Sequence, residues 1–337
     1  MNNGNTPLVS IVLPTYNVAS FLLQCLESIN AQTYQNYEVI IIIDGATDGS
    51  YEIAKEYCGR HEKFSVYWQE NTGSGPARNA GLAKATGEYV MFVDPDDWIE
   101  CDLVKNLVCA QIEKNYDLVA TRRNKAICSK DGKLVRKVYS CYEEECLHDV
   151  TEIRKAYYRM MRLDVLGSPT QKLYKMSIIR KNEICFPDLR RSQDVVFNYR
   201  YYNYVKSLKL LAYSGYNYRI FGDNNLGRTN ADYYKTILWM YGEYKRLYDS
   251  WNIEFPDSDF CNFFYDIRIF VNLQRCVDNN WDFSTFLENS TIRHIILNSG
   301  KVSFVKKIAR FLILRKEYGL LKKYMKLVVL IKQKGLK

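Results

Sequence analysis

The sequence has little of what a metal-stapled or disulfide-bonded fold requires. Three histidines, His61, His148 and His294, are scattered over 337 residues, and none of the ten cysteines forms a C-x-x-C pair. With no cysteines closer than Cys141 and Cys146, the spacing of a zinc site is missing, and free thiols in a reducing compartment are the simpler reading. Seven prolines and 17 glycines exclude collagen-like and low-complexity chains. No apolar run approaches the roughly 18–20 residues of a membrane span. No Lys or Arg precedes Lys55, so the basic start of a secretory leader is also missing. A cytoplasmic location is therefore expected.

What is present is an ordinary globular balance, 47% hydrophobic and 25% charged, enough for one large or two modest domains. The formal charge of +9 is unevenly spread. Residues 301–337 hold twelve Lys/Arg against the single acid Glu317, a net +11, which leaves −2 for the other 300 residues. The body is near neutral, so a globally basic nucleic-acid binder is not expected.

The first 125 residues alternate strand and helix patterns. Residues 8–14, 39–43, 64–69 and 89–93 read as strands, and the unbroken run VIIII at 39–43 predicts a strand buried on both faces. Residues 21–32, 51–58 and 76–85 read as helices, the first with Ser20 as its expected cap. Such repetition predicts a mostly parallel sheet with helices on both faces and ligands beyond the strands' carboxyl ends. After residue 126 the pattern is less regular: a strand at 134–139 and helices at 151–162, 172–181 and 192–204 are expected. From 227 onward the signal is helical and aromatic, at 233–249, 259–278 and 302 to the end. A boundary near 225 divides the chain into a domain 1–225, with halves 7–125 and 126–225, and a helical region 226–337 ending in the basic tail 301–337.

Three carboxylates in four residues, Asp94, Asp96 and Asp97, follow the fourth strand. They repel one another unless a cation or strong donors neutralise them, and a hard divalent ion with oxygen ligands is one solution. An acidic turn capping the next helix is the other. Asp44, at the end of the second strand, suits a base N–H or ribose hydroxyl, whereas Asp48-Gly49-Ser50 suffices as a helix start. The loop before the third helix, Gly73-Ser74-Gly75-Pro76-Ala77-Arg78-Asn79, can approach phosphate but is neither a P-loop nor a dinucleotide fingerprint.

Together the segments VSIVLPTYN (9–17), IIIIDGATDGS (40–50), GPARNAGL (75–82) and GEYVMFVDPDDW (87–98) resemble the family-two inverting glycosyltransferases of the GT-A fold. They follow that family's order and spacing over roughly residues 7–105, and the likeness continues more faintly to about 220. The resemblance implies an α/β GT-A domain in which Pro14, Thr15, Tyr16, Asn17, Asp44, Arg78 and Asp94 bind the nucleotide. It implies that Asp94 and Asp96, with Asp97 adjacent, hold Mn²⁺ or Mg²⁺, and that Asp194, in the segment RSQDVVF (191–197), is the catalytic base. The partners so implied are a nucleotide-sugar donor, with UDP the expected nucleotide, and a glycan or lipid-linked acceptor of surface polysaccharide synthesis.

Three features depart from the family pattern. Ile43 stands where a first acid often precedes Asp44, neutral Gln193 stands where Glu commonly precedes the base, and no Gln-x-x-Arg-Trp element or membrane block follows. The last favours transfer of a single sugar over processive synthesis. The first two leave open a non-catalytic, glycosyltransferase-like binding or assembly protein, and for Asp194 a helix-capping role. A dinucleotide-dependent oxidoreductase lacks its glycine fingerprint. Tyrosines 199, 201, 202, 204, 213, 216 and 218 serve either sugar stacking or the core. The tail interleaves Phe304, Val305, Ile308, Phe311, Leu312, Leu320, Leu321, Tyr324, Met325 and Val328 with its twelve cations. That pattern fits an interfacial helix on the anionic inner face of the cell membrane, or one packed on the domain with its cations in water.

Overall fold

In a computed structural model the chain divides into two compact units, Met1–Asn225 and Leu226–Lys337. The residues described are 6–129, 132–139, 143–163, 165–189, 192–221 and 233–334, with side chains to 331. Arg191 lies outside them.

In the first unit β1 (Val9–Thr15), α1 (Ala19–Asn30), β2 (Tyr37–Asp44), α2 (Ser50–Arg60), β3 (Phe64–Gln69), α3 (Ser74–Lys84) and β4 (Tyr89–Phe92) follow in order. These four strands are parallel, with β1 between β2 and β4, so their carboxyl ends share one rim. The register pairs Val9 with Tyr37 on one side and with Tyr89 on the other. Val9, Ile11, Leu13, Val39, Ile41 and Ile43 share a core with Leu22, Leu26 and Ile29 of α1, which is how a β-branched run comes to be wholly buried. The opposite face receives α3 at such close range that a Cβ on Gly81 would lie 2.3 Å from Val12 Cγ1. Only glycine fits there.

β5 (Trp98–Ile99), α4 (Leu103–Lys114), β6 (Leu118–Ala120), β7 (Arg123–Cys128), β8 (Leu134–Val138), β9 (Glu145–Leu147), α5 (Val150–Arg162), β10 (Lys172–Lys175), α6 (Met176–Lys181), α7 (Gln193–Tyr202), β11 (Leu208–Leu210) and β12 (Tyr216–Phe221) complete the unit. The main sheet runs β3-β2-β1-β4-β10-β6-β11-β9, and a smaller one runs β5-β12-β7-β8. Two expectations are corrected. Residues 172–175, read as the start of a helix, form a strand antiparallel to β4 and β6, because pairing in the sheet outweighs local propensity. Ser20 does not cap α1. Instead the Ala19 N–H donates to Asp48 Oδ2 (2.8 Å) and the Val18 N–H to Ser50 Oγ (3.1 Å), so the helix start is satisfied from the β2–α2 loop.

The second unit is helical: α8 (Tyr233–Ser250), α9 (Asp257–Phe263), a π-helical turn (Phe264–Ile269), α10 (Phe270–Asp278), α11 (Ser284–Glu288), α12 (Ser290–Asn298), α13 (Phe304–Leu314) and α14 (Tyr318–Lys334). Its core is aromatic, with Phe255 stacked on Phe260 at 4.6 Å and Tyr244 at 5.1 Å from Phe260.

Candidate active site

The rim formed by the carboxyl ends of β1, β2 and β4 gathers most of the residues singled out above. Pro14 and Thr15 are buried at the end of β1, with Thr15 Oγ1 donating to the Leu13 carbonyl (3.3 Å), while the Tyr16 ring is 47% exposed. Asn17 takes a left-handed backbone (φ 48°) and its Oδ1 accepts the Thr47 N–H at 2.8 Å, tying the β1 and β2 loops together. Asp44 is buried. One of its oxygens accepts from Gln69 Nε2 (2.8 Å) and the Thr72 N–H (2.9 Å), the other from the Gly73 N–H (2.8 Å). Asp44 thus shapes the loop leading into α3.

Arg78, on α3, is the centre of the site. Its Nη2 donates to Asp94 Oδ1 and its Nη1 to Asp194 Oδ1, each at 2.8 Å, and its guanidinium lies 5.4 Å from the centre of the Phe186 ring. Burial works against its charge, but Asp194 and then Asp94 outweigh burial and raise its pKa above the ordinary arginine value. For Asp194 the balance differs: desolvation pushes the carboxyl up, Arg78 pulls it down and Asp94 pushes it up again, for a net rise. A carboxylate shifted upward is a better proton acceptor than one in water.

Residues 116 positions apart meet because an aromatic cluster carries α7 to the end of β4. Phe186 and Phe197 stack at 4.0 Å, and Phe92 meets both edge-on at 5.2 and 5.5 Å. Asn79 completes the alignment, donating to the Phe186 carbonyl (2.8 Å) and accepting its N–H (2.9 Å). Gln193 is buried beside the start of α3. With its carbonyl toward α3 it accepts from Ser74 Oγ and the Gly75 N–H, and its amide donates to the Leu189 carbonyl. Where the family pattern has an acid, this chain has a neutral strut.

The acidic loop divides by burial. Asp94 and Asp96 are half-buried, whereas Asp97 is wholly buried and both its oxygens are taken, by Tyr216 Oη (2.8 Å) and the Arg219 N–H (2.7 Å). Burial, then Asp96, then Asp94, push the Asp97 carboxyl well above the usual range. The expectation that Asp97 joins the metal ligands is therefore corrected: it anchors β12 beneath the loop. Arg219 also donates through Nε to the Asp96 carbonyl (2.6 Å) and lies between Phe21 and Trp98, 4.7 and 4.8 Å from their ring centres.

Arg219 was not legible as a site residue, and Tyr216 was legible only as a sugar-stacking or core tyrosine, because both lie about 120 positions from the loop they hold and carry no local motif. Of the tyrosines between 199 and 218, Tyr201, Tyr202 and Tyr216 spend their hydroxyls on protein, donating to the Asp117 carbonyl, the Ile153 carbonyl and Asp97. In the second unit His294 meets Asp257 (2.9 Å), with Cys261 close by, and these three potential ligands lie within 4.8 Å of one another. Tyr241 hydrogen-bonds to Asp257, so the group is internally satisfied.

A parallel half-sheet β3-β2-β1-β4 continued by the mixed half β10-β6-β11-β9, with Asp94 and Asp96 just past the end of β4, has the architecture of a GT-A fold. The family model described as glycosyl transferase family 2 matches residues 10–180, and the chain belongs to that family: it is a glycosyltransferase. Among curated relatives, the putative glycosyltransferase EpsH of Bacillus subtilis is 30% identical over 70% of this chain and 67% of its own length. Glycosyltransferase GlyA of Streptococcus pneumoniae is 33% identical over 63% of this chain but 30% of its own length. Among solved structures, residues 1–349 of Staphylococcus aureus TarS share the fold with a TM-score of 0.62 at 19% identity, covering 94% of this chain and 90% of that one. TarS has also been solved with UDP and with UDP-GlcNAc. Its curated form is a poly(ribitol-phosphate) beta-N-acetylglucosaminyltransferase.

Proposed function

We propose that the chain transfers a single sugar from a UDP-linked donor to a glycan or lipid-linked saccharide acceptor, inverting the anomeric centre, in the synthesis of a surface polysaccharide. The observation that carries this reading is the Arg78 bridge, which sets Asp94 and Asp194 on one guanidinium. The bound UDP and UDP-GlcNAc of TarS support the donor class.

Asp94 and Asp96 suit a hard divalent cation: both carboxylates are half-buried oxygen donors, and their combined charge is felt at Asp97. Mg²⁺ or Mn²⁺ held by this pair would stabilise the negative charge developing on the departing diphosphate. Pro14, Thr15, Tyr16 and Asn17 are assigned to the nucleoside, with Asp44 shaping the adjoining wall through residues 69–73. Asp194 takes the proton from the acceptor hydroxyl as that oxygen attacks the anomeric carbon. The bond from that carbon to the diphosphate oxygen breaks, and its electron pair leaves with the diphosphate. Arg78 keeps the base oriented and ionised. One in-line displacement converts an α-linked donor into a β-linked product.

The test is a thermal-shift and hydrolysis panel of sugar nucleotides with Mn²⁺, run on wild type and Asp96→Ala. A UDP-sugar that stabilises only the wild type is expected. Identical behaviour of both proteins, with no nucleotide bound or cleaved, would overturn the reading.

A further inference from the structure

The last two helices of the second unit carry two apolar stripes. The inner one, Ala309 and Ile313 on α13 with Leu321, Met325 and Val328 on α14, is buried. The docking of α13 is reinforced by Tyr265 Oη donating to the Lys306 carbonyl (2.7 Å) and by Lys306 pairing with Asp266. A packed helix needs one such stripe. Here a second faces water: Phe304 is 76% exposed and Phe311 54%, seven residues apart, and on α14 Leu320 and Leu327 repeat that spacing, with Leu330 and Ile331 three and four residues further on, at 53–61%.

The surroundings identify what covers this second stripe. Lys301, Lys307, Arg315, Lys316, Lys323 and Lys326 are exposed around it, and Glu317 is the only acid in the segment. Lys307, Lys323 and Lys326 form no ion pair among the described residues. Exposed aromatic and aliphatic side chains ringed by long cations match a surface that is apolar inside and anionic at its boundary. Among the described residues no helix is long and apolar enough to cross a membrane.

We infer that α13 and α14 dock on an anionic lipid bilayer, with Phe304, Phe311, Leu320, Leu327 and Leu330 entering the headgroup region and the lysines pairing with lipid phosphates. The inner stripe means that the helices remain packed while docked. The inference does not depend on the proposed reaction, because bare vesicles test it without donor or acceptor.

The experiment is flotation of the full chain with phosphatidylcholine vesicles, with and without phosphatidylglycerol. Wild type is expected to float only with the anionic vesicles and to be released by high salt. Combining Lys307→Gln, Lys323→Gln and Lys326→Gln should weaken partitioning roughly hundredfold, from about 1 kcal/mol per cation. Phe304→Ser with Phe311→Ser, at exposed positions, should abolish flotation while the far-ultraviolet circular dichroism and thermal unfolding of the chain stay those of the wild type. Failure to float with anionic vesicles, equal flotation with neutral ones, or full flotation of both variants would overturn the inference. So would light scattering that shows a stable dimer in which these phenylalanines are covered by a second copy.

Discussion

At the scale of single residues, the site rests on how one cation is shared by two carboxylates. Arg78 restrains Asp194 electrostatically while desolvation and Asp94 push its proton affinity up. If Asp194 is the base, Asp194→Asn should lower turnover by about 10²–10⁴-fold. Donor-induced thermal stabilisation should survive, since the amide keeps an oxygen for Arg78. Arg78→Gln separates orientation from charge. A base works only when deprotonated, so activity falls as pH drops through its pKa; with the lowering influence of Arg78 removed, the acid limb of kcat/KM should move to higher pH. A limb at the same or lower pH would refute this electrostatic account. Asp94, Arg78 and Asp194 could each be picked out along the chain, but their meeting could not, since Asp194 is 116 positions from Arg78.

At the scale of elements, the Asp94–Asp97 loop is held from beneath by a strand that follows it by over a hundred residues. Asp97 ties the end of β4 to β12, and its burial, with Asp96 and Asp94 crowding it, makes its ionised form costly. Its folded-state pKa lies above the unfolded value, so the folded state binds more protons in that window and stability falls as pH rises through it. Asp97→Asn abolishes this dependence. In chelator, urea midpoints of wild type and Asp97→Asn should therefore diverge as pH rises from the ordinary carboxylate range toward neutrality, in favour of the variant. Glu38, Asp48 and Glu100, whose pKa values are lowered, lose stability on acidification in both proteins and cancel in the comparison. The strands and helices of the first half were legible because each carries its own period. Residues 172–175 were not, since KLYK extends only because β4 and β6 offer it partners.

At the scale of the whole molecule, binding and folding are linked: a ligand that binds only the native state stabilises it. UDP with Mn²⁺ at about 100 times its Kd should add about 2.7 kcal/mol, read as a rise in Tm, and UDP with chelator should add less. An equal rise in both conditions would remove the metal from donor binding. The charge of the chain is likewise a property of the whole that its parts explain: a body at −2 and a segment at +11. The alternation of strands and helices, the order of the four family motifs and the concentration of cations in one segment could be read along the chain, because periodicity, turn chemistry and charge are local quantities. Only the tertiary structure decided that Asp97 is an anchor, that Gln193 braces α3, that Arg78 joins Asp94 to Asp194, and which of the tail's apolar residues meet the core. Each of these depends on partners brought together by packing, and packing is set by the shape of the whole core rather than by neighbours along the chain.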